Sequence, residues 1–367
     1  MFEIIIYILL ILSLIYGFYF LIMASGVFRK KKCEIDNNKK NHFAILIAAR
    51  NEETVIKNLI NSLKKQNYPS NKYDVYVIVN NCTDNTLEVA KNAGAKIIEC
   101  KQKVKSKGEV LKYTFNKLKS NDEIDAYVIF DADNVVHREF LNKMNDSINC
   151  GYEVVQGFRD TKNICDNWLS TSYAILYYLQ SLFINKSRFN FGMSSFLNGT
   201  GFMVKKETID RYGYDPKTIT EDIEYTAICA INGIKIAFNE NAITYDEQVT
   251  DFKGSLKQRK RWSFGAIQCL KNYTGSLIKE GIKNKRFECF DVIIFYFGII
   301  FHVLFTIVSL IGIFYNVFYL NDFNSMDVVI YFIMFLINYF IGVIFRMIVI
   351  KKCNKSIKEN IWGILLF

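Results

Sequence analysis

Hydrophobic residues form long unbroken runs at the two ends of the chain and short runs in its middle. The first run, residues 4–24, carries no charge, and about 20 apolar residues are enough for a helix to span a bilayer. Further runs at 290–320 and 328–350 predict a second and a third span, with Arg346 near the end of the third. The final stretch, 361–367, predicts either a short interfacial helix or the start of an incomplete segment.

Basic residues give these predicted spans an orientation. Lys and Arg cluster at residues 29–32, 283–286 and 351–352, each beside a span, whereas the link 321–327 contains neither. Because positively charged segments remain on the cytoplasmic side, the amino terminus is predicted outside and the middle of the chain in the cytoplasm. The alternative interpretation of the same runs is three buried core helices of a soluble protein.

The chain therefore divides into three predicted parts at the cell membrane. Residues 1–28 form an N-terminal transmembrane helix, residues 29–286 a cytoplasmic domain, and residues 287–367 a C-terminal membrane region, which makes the protein multi-pass. The last part of the domain, about 252–286, is basic and aromatic and predicts interfacial helices that rest on the membrane.

The middle of the chain alternates between strand-like and helix-like patterns. Short apolar runs and helical spacing predict strands at 42–49, 74–79, 95–99 and 126–130, and helices at 52–66, 85–93 and 108–118. Strands separated by helices form right-handed crossovers, which predicts an α/β fold with a mostly parallel sheet. Ligands of such sheets bind at the carboxyl ends of the strands, so the residues there are the candidates for chemistry.

Polar and acidic residues follow three of these strands. Arg50 and Glu52 follow the first, Asn80 begins a polar run after the second, and Asp131 and Asp133 follow the fourth. Taken singly, each cluster has helix capping as an alternative role. Two carboxylates one residue apart can also hold a divalent cation together with water and the phosphate oxygens of a diphosphate.

Charged residues at two predicted helix starts are further candidates. Lys107 precedes a glycine at one of them, where backbone N–H groups favour a phosphate. Residues 220–222 (Thr-Glu-Asp) open the other, where acidic residues also stabilise the helix dipole. A carboxylate here can alternatively act as a general base, and adjacent acids raise one another's pKa, which suits that task.

A basic and aromatic motif, QRKRW at residues 258–262, precedes the second predicted span. An amphipathic helix on an anionic membrane surface accounts for its surroundings. Gln258 and Arg261 are also three residues apart, so they share one helix face from which they can bind a diphosphate. Trp262 would then offer a flat apolar face to a sugar ring.

The formal net charge of +10 is compatible with nucleic acid, an anionic membrane or phosphate ligands as partners. The positive charge lies next to the predicted membrane spans, and the sequence contains no nucleic-acid recognition motif. We therefore expect the lipid bilayer and a phosphate-bearing ligand as partners, and no nucleic acid.

The ordered set of motifs resembles the membrane-integrated family 2 glycosyltransferases, which include the cellulose, chitin, hyaluronan and poly-N-acetylglucosamine synthases. The resemblance covers about residues 42–270 and rests on ARNEE (49–53), NNCTDNT (80–86), KG (107–108), DAD (131–133), VQGFRD (155–160), NGTG (198–201), TED (220–222) and QRKRW (258–262). It implies a Rossmann-like GT-A fold and an inverting hexosyltransferase that forms β-linkages from a UDP-sugar with Mg²⁺ or Mn²⁺.

The resemblance also implies roles for individual residues. Asp222 would be the catalytic base, and Asp133 and Asp131 would hold the metal. The donor nucleotide would contact Arg50, Glu52, Asn80, Lys107 and Asp131, and the diphosphate and acceptor would contact Gln258, Arg261, Trp262, Gly199, Thr200 and Gly201.

Three features depart from the family pattern. Asn80 stands where an Asp is usual, and Val249 replaces a usual Pro before the QRKRW motif. Three membrane spans are also few to line a pore for a sugar polymer. A homo-oligomer or a partner membrane protein would then complete the channel.

Three hypotheses of function follow from the sequence. The first is extension of a polysaccharide or oligosaccharide acceptor. The second is transfer of sugar to a membrane lipid, in which case the membrane helices present the lipid and form no pore. The third is a catalytically inactive membrane scaffold, against which the intact DAD, TED and QRKRW motifs argue.

Overall fold

An eight-stranded sheet forms the centre of the chain in the computed structural model, which describes residues 2–31, 39–318 and 325–367. Its strands are β1 (Phe43–Ala49), β2 (Tyr73–Val79), β3 (Lys96–Glu99), β4 (Ala126–Asp131), β5 (Val135–Val136), β6 (Val154–Thr161), β7 (Phe202–Lys205) and β8 (Ile236–Asp246). They are ordered β3-β2-β1-β4-β7-β6-β8-β5 across the sheet. The four strands predicted from apolar runs are β1 to β4, and their ends agree to within one residue.

The helices of the described residues surround this sheet or extend from it. They are α1 (Phe2–Ser25), α2 (Ile56–Lys64), α3 (Thr86–Asn92), α4 (Lys107–Leu118), α5 (Phe140–Asn149), α6 (Trp168–Leu179), α7 (Ser187–Asn190), α8 (Lys206–Tyr212), α9 (Glu221–Asn232), α10 (Phe252–Lys283), α11 (Phe287–Phe318), α12 (Ser325–Lys352) and α13 (Ile361–Leu366). A π-helical segment, Gln180–Lys186, joins α6 to α7. The helix predicted at 52–66 begins only at Ile56, because the Glu52 carbonyl first closes a turn with Val55.

Parallel pairing predominates in the half of the sheet that the sequence predicts. β1 pairs in parallel with both β2 and β4, and β2 pairs in parallel with β3. β7 is antiparallel to β4 and β6, β8 is parallel to β6, and β5 is antiparallel to β8. The prediction of a mostly parallel α/β sheet is confirmed, and a second half, β5 to β8, is added to it.

An apolar core covers each face of the sheet. On one face α2 and α5 bury side chains such as Leu59, and on the other α4 and α9 bury side chains such as Leu111. Alternation along β1 sends Ile45 to the first core and Leu46 to the second. The carboxyl ends of β1, β2 and β4 therefore open on one edge between these two layers.

Apolar helices lie at both ends of the chain. In the part that the structure describes, one helical window, Ile11–Phe28, is long and apolar enough to cross a membrane. α11 and α12 lie where the spans 290–320 and 328–350 were predicted. Both expose large apolar side chains, among them Leu304, Ile307, Leu310, Phe332, Phe335 and Phe340. Residues 321–324 of the predicted link 321–327 lie outside the described residues. Lys32 of the first basic cluster also lies outside them.

The end of α1 is fastened to α7 by side chains that bind backbone groups. Ser187 Oγ donates to the carbonyl of Ala24 at 3.1 Å. Asn190 Nδ2 donates to the carbonyls of Gly26 and Arg29 at 3.0 and 2.7 Å. These bonds join the N-terminal helix directly to the segment that precedes the 198–201 loop.

α10 is one continuous helix over the stretch where interfacial helices were predicted, and it is fixed to the start of α9. A Cβ at Gly265 would lie 2.1 Å from Thr220 Oγ1, so only glycine permits this approach of the two elements. The Ile219 N–H donates to Gln268 Oε1 at 3.1 Å across the same contact. The position of α10 therefore depends on its contact with the Thr-Glu-Asp segment.

Candidate active site

Lys107 joins the end of β4 to the loop before β7. Its Nζ donates to Asp131 Oδ1 at 2.5 Å and to the Gly199 carbonyl at 2.7 Å, and it lies 4.0 Å from Glu221 Oε1. Burial lowers the pKa of Lys107, but the Asp131 and Glu221 carboxylates outweigh burial, so the pKa is raised. Lys107 is therefore a charged ammonium at the edge where the sequence predicts phosphate binding.

Asp131 and Asp133 occupy the turn after β4. The Asp131 N–H donates to Thr200 Oγ1 at 3.0 Å and to Asn134 Oδ1 at 3.2 Å, which fixes the turn against the loop before β7. Burial raises the pKa of Asp133 to about 7, and the Asp131 and Asp246 carboxylates add to the effect. A divalent cation at this turn would offset the repulsion between the carboxylates.

The loop before β7, residues 198–201, lies at the same edge and contacts Asp222 of α9. Gly199 has a φ of +87°, and a Cβ there would lie 3.2 Å from Asp222 Oδ2. The Gly201 N–H donates to a β4 carbonyl at 2.9 Å, so the loop is hydrogen-bonded to the strand that carries the acidic turn. The structure thus places Gly199 beside Asp222, and Thr200 against the turn that carries Asp131.

Asp222 and Glu221 lie side by side in the first turn of α9. Burial raises the pKa of both carboxyls, that of Glu221 to about 7, while the charge of Lys107 lowers each. A carboxyl with a raised pKa is a better proton acceptor than an ordinary one once it is ionised. Two adjacent carboxyls with raised pKa values therefore lie at the start of α9.

Glu224, also in the first turn of α9, has a structural role. Its carboxylate accepts the backbone N–H of Lys217 at 2.8 Å and that of Thr218 at 2.8 Å. The Tyr273 hydroxyl of α10 donates to the same carboxylate. Glu224 therefore anchors the segment that leads into the Thr-Glu-Asp motif.

α10 passes over this edge and carries Gln258 and Arg261. Arg261 is exposed, and its charge is one of the causes that lower the pKa of Asp222 against the dominant effect of burial. Gln258 buries its Oε1, which has no hydrogen-bond partner among the described residues. Arg261 therefore acts on Asp222 through its charge, and the buried Gln258 oxygen remains available to a ligand.

Trp262 packs in an aromatic cluster between α10 and α6. Its ring lies edge-on to Tyr173 and Tyr177, with centroid distances of 5.9 and 6.3 Å. Val249, which replaces the usual Pro, packs against the same cluster. Val249 and Trp262 therefore share the same apolar cluster of α6 side chains.

The residues predicted on the nucleotide side lie after β1 and β2. Asn80 is buried, and its Nδ2 donates to two carbonyls after β3 at 2.9 and 3.3 Å. Burial raises the pKa of Glu52, and the charge of Asp131 adds to the effect, which places Glu52 near the acidic turn. Arg50 is exposed at the same edge. The side chain of Asn80 is thus held on both sides, because its Oδ1 also accepts from Asn81 Nδ2 at 3.3 Å.

Arg159 lies at this edge, and the sequence predicts no role for it. Its Nε donates to Asp246 Oδ2 at 2.5 Å and its Nη1 to the Asn198 carbonyl at 2.9 Å, and its guanidinium carbon lies 3.7 Å from the Tyr177 ring centroid. The available signal was the VQGFRD motif, which carries Arg159, together with the acidic residues at 246–247. Arg159 ties β6, β8, α6 and the 198–201 loop together.

The turn after β4 carries two carboxylates, Asp131 and Asp133, that could bind a metal. Within the described residues, no group of three or more His, Cys, Asp or Glu converges as a metal site. Mg²⁺ and ions like it usually bind through one or two carboxylates, phosphate oxygens and water. Asp131 and Asp133 therefore fit a cation that shares its coordination with a phosphate-bearing ligand.

Comparison with known proteins gives relatives of this chain. A family model described as "Glycosyltransferase like family 2" matches residues 40–265, which include all the motifs above. The chain is 24% identical over 283 residues to "Probable glycosyltransferase YdaM" of Bacillus subtilis, covering 70% of this chain and 64% of that protein. It is 24% identical over 233 residues to "Beta-monoglucosyldiacylglycerol synthase" of Synechocystis sp., covering 62% and 48%. The chain spans about half to two thirds of the length of these curated relatives.

A solved structure shares the fold. It is the mannosyltransferase PcManGT from Pyrobaculum calidifontis in complex with GDP-Man and Mn²⁺. The TM-score is 0.55 with 13% sequence identity, and the match covers 74% of this chain and 76% of that chain. At this identity the likeness concerns the fold, and it confirms the expectation of a GT-A-like α/β architecture.

Proposed function

The chain belongs to glycosyltransferase-like family 2, and from this premise we propose that it is a membrane-bound, inverting hexosyltransferase that uses a UDP-sugar. The convergence of the acidic turn, Lys107 and Asp222 around Gly199 carries the proposal. These groups come from four separate elements, namely β4, α4, the 198–201 loop and α9. Packing of the apolar core does not require polar groups from all four to meet. Inverting transfer requires a leaving-group site and a base on either side of one sugar.

The acidic turn and Lys107 would form the leaving-group site. Asp131 and Asp133 would hold Mg²⁺ or Mn²⁺, which when bound neutralises charge on the departing diphosphate. Lys107 would bind phosphate oxygens, and Gln258 and Arg261 would approach them from α10. Arg50, Glu52 and the carbonyl of Asn80 would lie on the nucleotide side.

Asp222 would act as the general base. It would take the proton of an acceptor hydroxyl as the acceptor oxygen bonds to the anomeric carbon and the bond to UDP breaks. Because the acceptor attacks from the side opposite the leaving group, the configuration inverts. Burial raises the pKa of Asp222, which makes its carboxylate a stronger proton acceptor, and the charges of Lys107 and Arg261 partly offset burial.

Apolar surfaces support a location at the membrane. α10 exposes Phe252, Leu256, Phe264 and Ile267, which recur at helical spacing on one face. Lysines and arginines lie between them in the sequence, a pattern typical of helices on anionic lipid. With α1, α11 and α12 as spans, this face would rest on the cytoplasmic leaflet.

A membrane lipid is the acceptor that we favour. The support is the similarity to the Synechocystis protein named as a beta-monoglucosyldiacylglycerol synthase. The aromatic cluster of Trp262 between α6 and α10 would then place the lipid hydroxyl near Asp222. Extension of a polysaccharide or oligosaccharide is the second candidate, and the resemblance of the ordered motifs to polysaccharide synthases favours it.

The decisive experiment measures UDP release by the purified full chain with a panel of UDP-sugars, Mn²⁺ and lipid acceptors. Asp222→Asn should lower the rate of transfer by about 10²- to 10⁴-fold, because it removes the base. The Kd of UDP, measured by calorimetry with Mn²⁺, should change little.

Asp210→Asn is the matched control, because Asp210 is an exposed carboxylate on α8. It should leave both the rate and the Kd unchanged. Transfer that survives in Asp222→Asn would contradict the assignment of the base. Product that extracts into organic solvent would support a lipid acceptor, whereas polymer that lengthens with time would support the second candidate.

A further inference from the structure

Asn198 is a buried side chain whose polar atoms lack partners. The residue is 6% exposed, and neither Oδ1 nor Nδ2 has a hydrogen-bond partner among the residues that the structure describes. Buried carboxamides are normally hydrogen-bonded, because an unsatisfied amide loses the hydration that it had in the unfolded chain. The unsatisfied carboxamide of Asn198 therefore indicates a role in binding a ligand.

The backbone around Asn198 is fixed from two sides. Its N–H donates to Gln156 Oε1 at 3.1 Å, and its carbonyl accepts from Arg159 Nη1 at 2.9 Å. Gln156 Nε2 also donates to the Thr200 carbonyl at 2.9 Å, so one buried side chain spans the loop. Residues of β6 thus hold the Asn198 backbone in place and leave its carboxamide unused.

Asn198 also directly precedes Gly199, which lies between the proposed diphosphate site at Asp131 and the proposed base Asp222. The Gly199 carbonyl accepts from Lys107 Nζ at 2.7 Å, and the same ammonium bonds Asp131 at 2.5 Å. A Cβ at Gly199 would lie 3.2 Å from Asp222 Oδ2. A hexose that bridges a diphosphate near Asp131 and an acceptor near Asp222 would pass this loop.

We propose that the Asn198 carboxamide hydrogen-bonds a hydroxyl group of the hexose that is transferred, and that Gln156 and Arg159 position it for this contact. The inference rests on the proposed function. An amide offers an acceptor and two donors, so it pairs with a hydroxyl in either direction. A donor that lacks this hydroxyl leaves the amide unpaired, which makes Asn198 a specificity-determining residue.

The test compares Asn198→Ala with Asn149→Ala in the full chain, purified in detergent with Mn²⁺. Asn149 is similarly buried, at 7% exposure, but its side chain bonds Asn41 at 3.0 Å and the Lys39 carbonyl at 2.9 Å. Asn198→Ala should lower kcat/KM for the UDP-sugar by about threefold to tenfold, with an unchanged Kd of UDP and an unchanged melting temperature. Asn149→Ala should lower the melting temperature and leave kcat/KM unchanged.

Monodeoxy analogues of the UDP-sugar identify the contact. At one ring position, the wild-type protein should lose about the same factor in kcat/KM that the alanine variant loses with the parent sugar. The Asn198→Ala protein should not distinguish that analogue from the parent. Asn198→Ser shortens the side chain and carries the same expectation where the alanine variant does not fold.

Two outcomes would overturn the role of Asn198 alone. One is a variant with wild-type kcat/KM, and the other is a variant that still discriminates against every deoxy analogue. A wild-type protein that turns over no UDP-sugar would overturn the proposed function, and this inference with it.

Discussion

Arg159 holds three segments with one side chain, and no other residue type can do the same. Arg159→Lys keeps the charge, but an ammonium cannot bond Asp246 and the Asn198 carbonyl together and also stack on Tyr177. Loss of a charged hydrogen bond costs about 1.5–3 kcal/mol, so the melting temperature should fall by several degrees. We expect kcat for UDP release to fall about tenfold because the loop near Asp222 is displaced, as steady-state kinetics would show.

The control for this variant is Arg138→Lys, which alters an exposed arginine before α5. It should change neither the melting temperature nor kcat. An Arg159→Lys protein with wild-type kcat would show that the 198–201 loop keeps its position without the guanidinium.

Glu221 makes the stability of the protein depend on pH. Burial raises its pKa from 4.5 to about 7, so between these values the folded protein binds more protons than the unfolded chain. Stability should therefore fall as pH rises through this window, by an amount on the order of 1–3 kcal/mol. Glu221→Gln should reduce the fall of the melting temperature from pH 4.5 to 8, and Asp133, whose pKa is also raised to about 7, should account for part of what remains. The exposed Glu88→Gln should follow the wild-type curve. Parallel curves for Glu221→Gln and wild type would contradict the raised pKa.

The sequence predicts the site residues whose position follows from a single strand or helix. Asp131 and Asp133 end a strand, and Asp222 starts a helix, so each is visible from the local pattern. Arg159 and Asp246 are 87 residues apart and meet only through the parallel pairing of β6 with β8. No local pattern contains that pairing, which is why their roles could not be predicted.

At the scale of elements, the contact between α10 and the start of α9 depends on a glycine. Gly265→Ala would place a methyl group 2.1 Å from Thr220 Oγ1, so one of the two elements must move. Overpacking of this kind costs about 1–3 kcal/mol. We expect a lower melting temperature and a lower kcat, because Asp222 lies in the turn that Thr220 precedes.

Gly275→Ala in the same helix is the control, since a Cβ there meets no atom within 4 Å. Alanine at a helix interior is favoured over glycine by about 1 kcal/mol, so this variant should keep its kcat and melt at the same or a higher temperature. Equal melting temperatures for the two variants would show that α10 tolerates displacement.

The elements themselves were predictable where they are apolar and alternate regularly. β1 to β4 are short apolar runs between helices, and the structure has them at the predicted positions. β6 and β8 carry charged residues at their carboxyl ends, and a register shift interrupts their pairing between Gly157 and Phe158. Such strands lack a clean apolar period, and no strand was predicted at either position.

At the scale of the whole molecule, a buried ion pair joins the terminal helices to the domain. Arg188 of α7 binds Asp291 of α11 at 2.9 Å, with side-chain exposures of 0% and 1%, and Tyr19 of α1 donates to the same carboxylate. Removing one partner leaves a buried charge unpaired, which costs about 3–5 kcal/mol. Asp291→Ala should therefore shorten the half-life of UDP-release activity at a fixed elevated temperature in detergent.

The control is Glu207→Ala, which breaks an exposed pair with Arg211 on α8. Exposed pairs contribute about 0–1 kcal/mol, so the half-life should stay close to that of the wild type. Similar half-lives for Asp291→Ala and Glu207→Ala would mean that the terminal helices are held by apolar contacts alone.

The fastening of α1 to α7 has a consequence for which molecules reach the carboxylates. With α1 in the bilayer as proposed, the edge of the sheet that carries Asp131 and Asp222 is held at a fixed distance from the membrane surface. An acceptor must then bridge that gap with its own headgroup. The enzyme would therefore select lipids by the distance between their acceptor hydroxyl and the membrane surface.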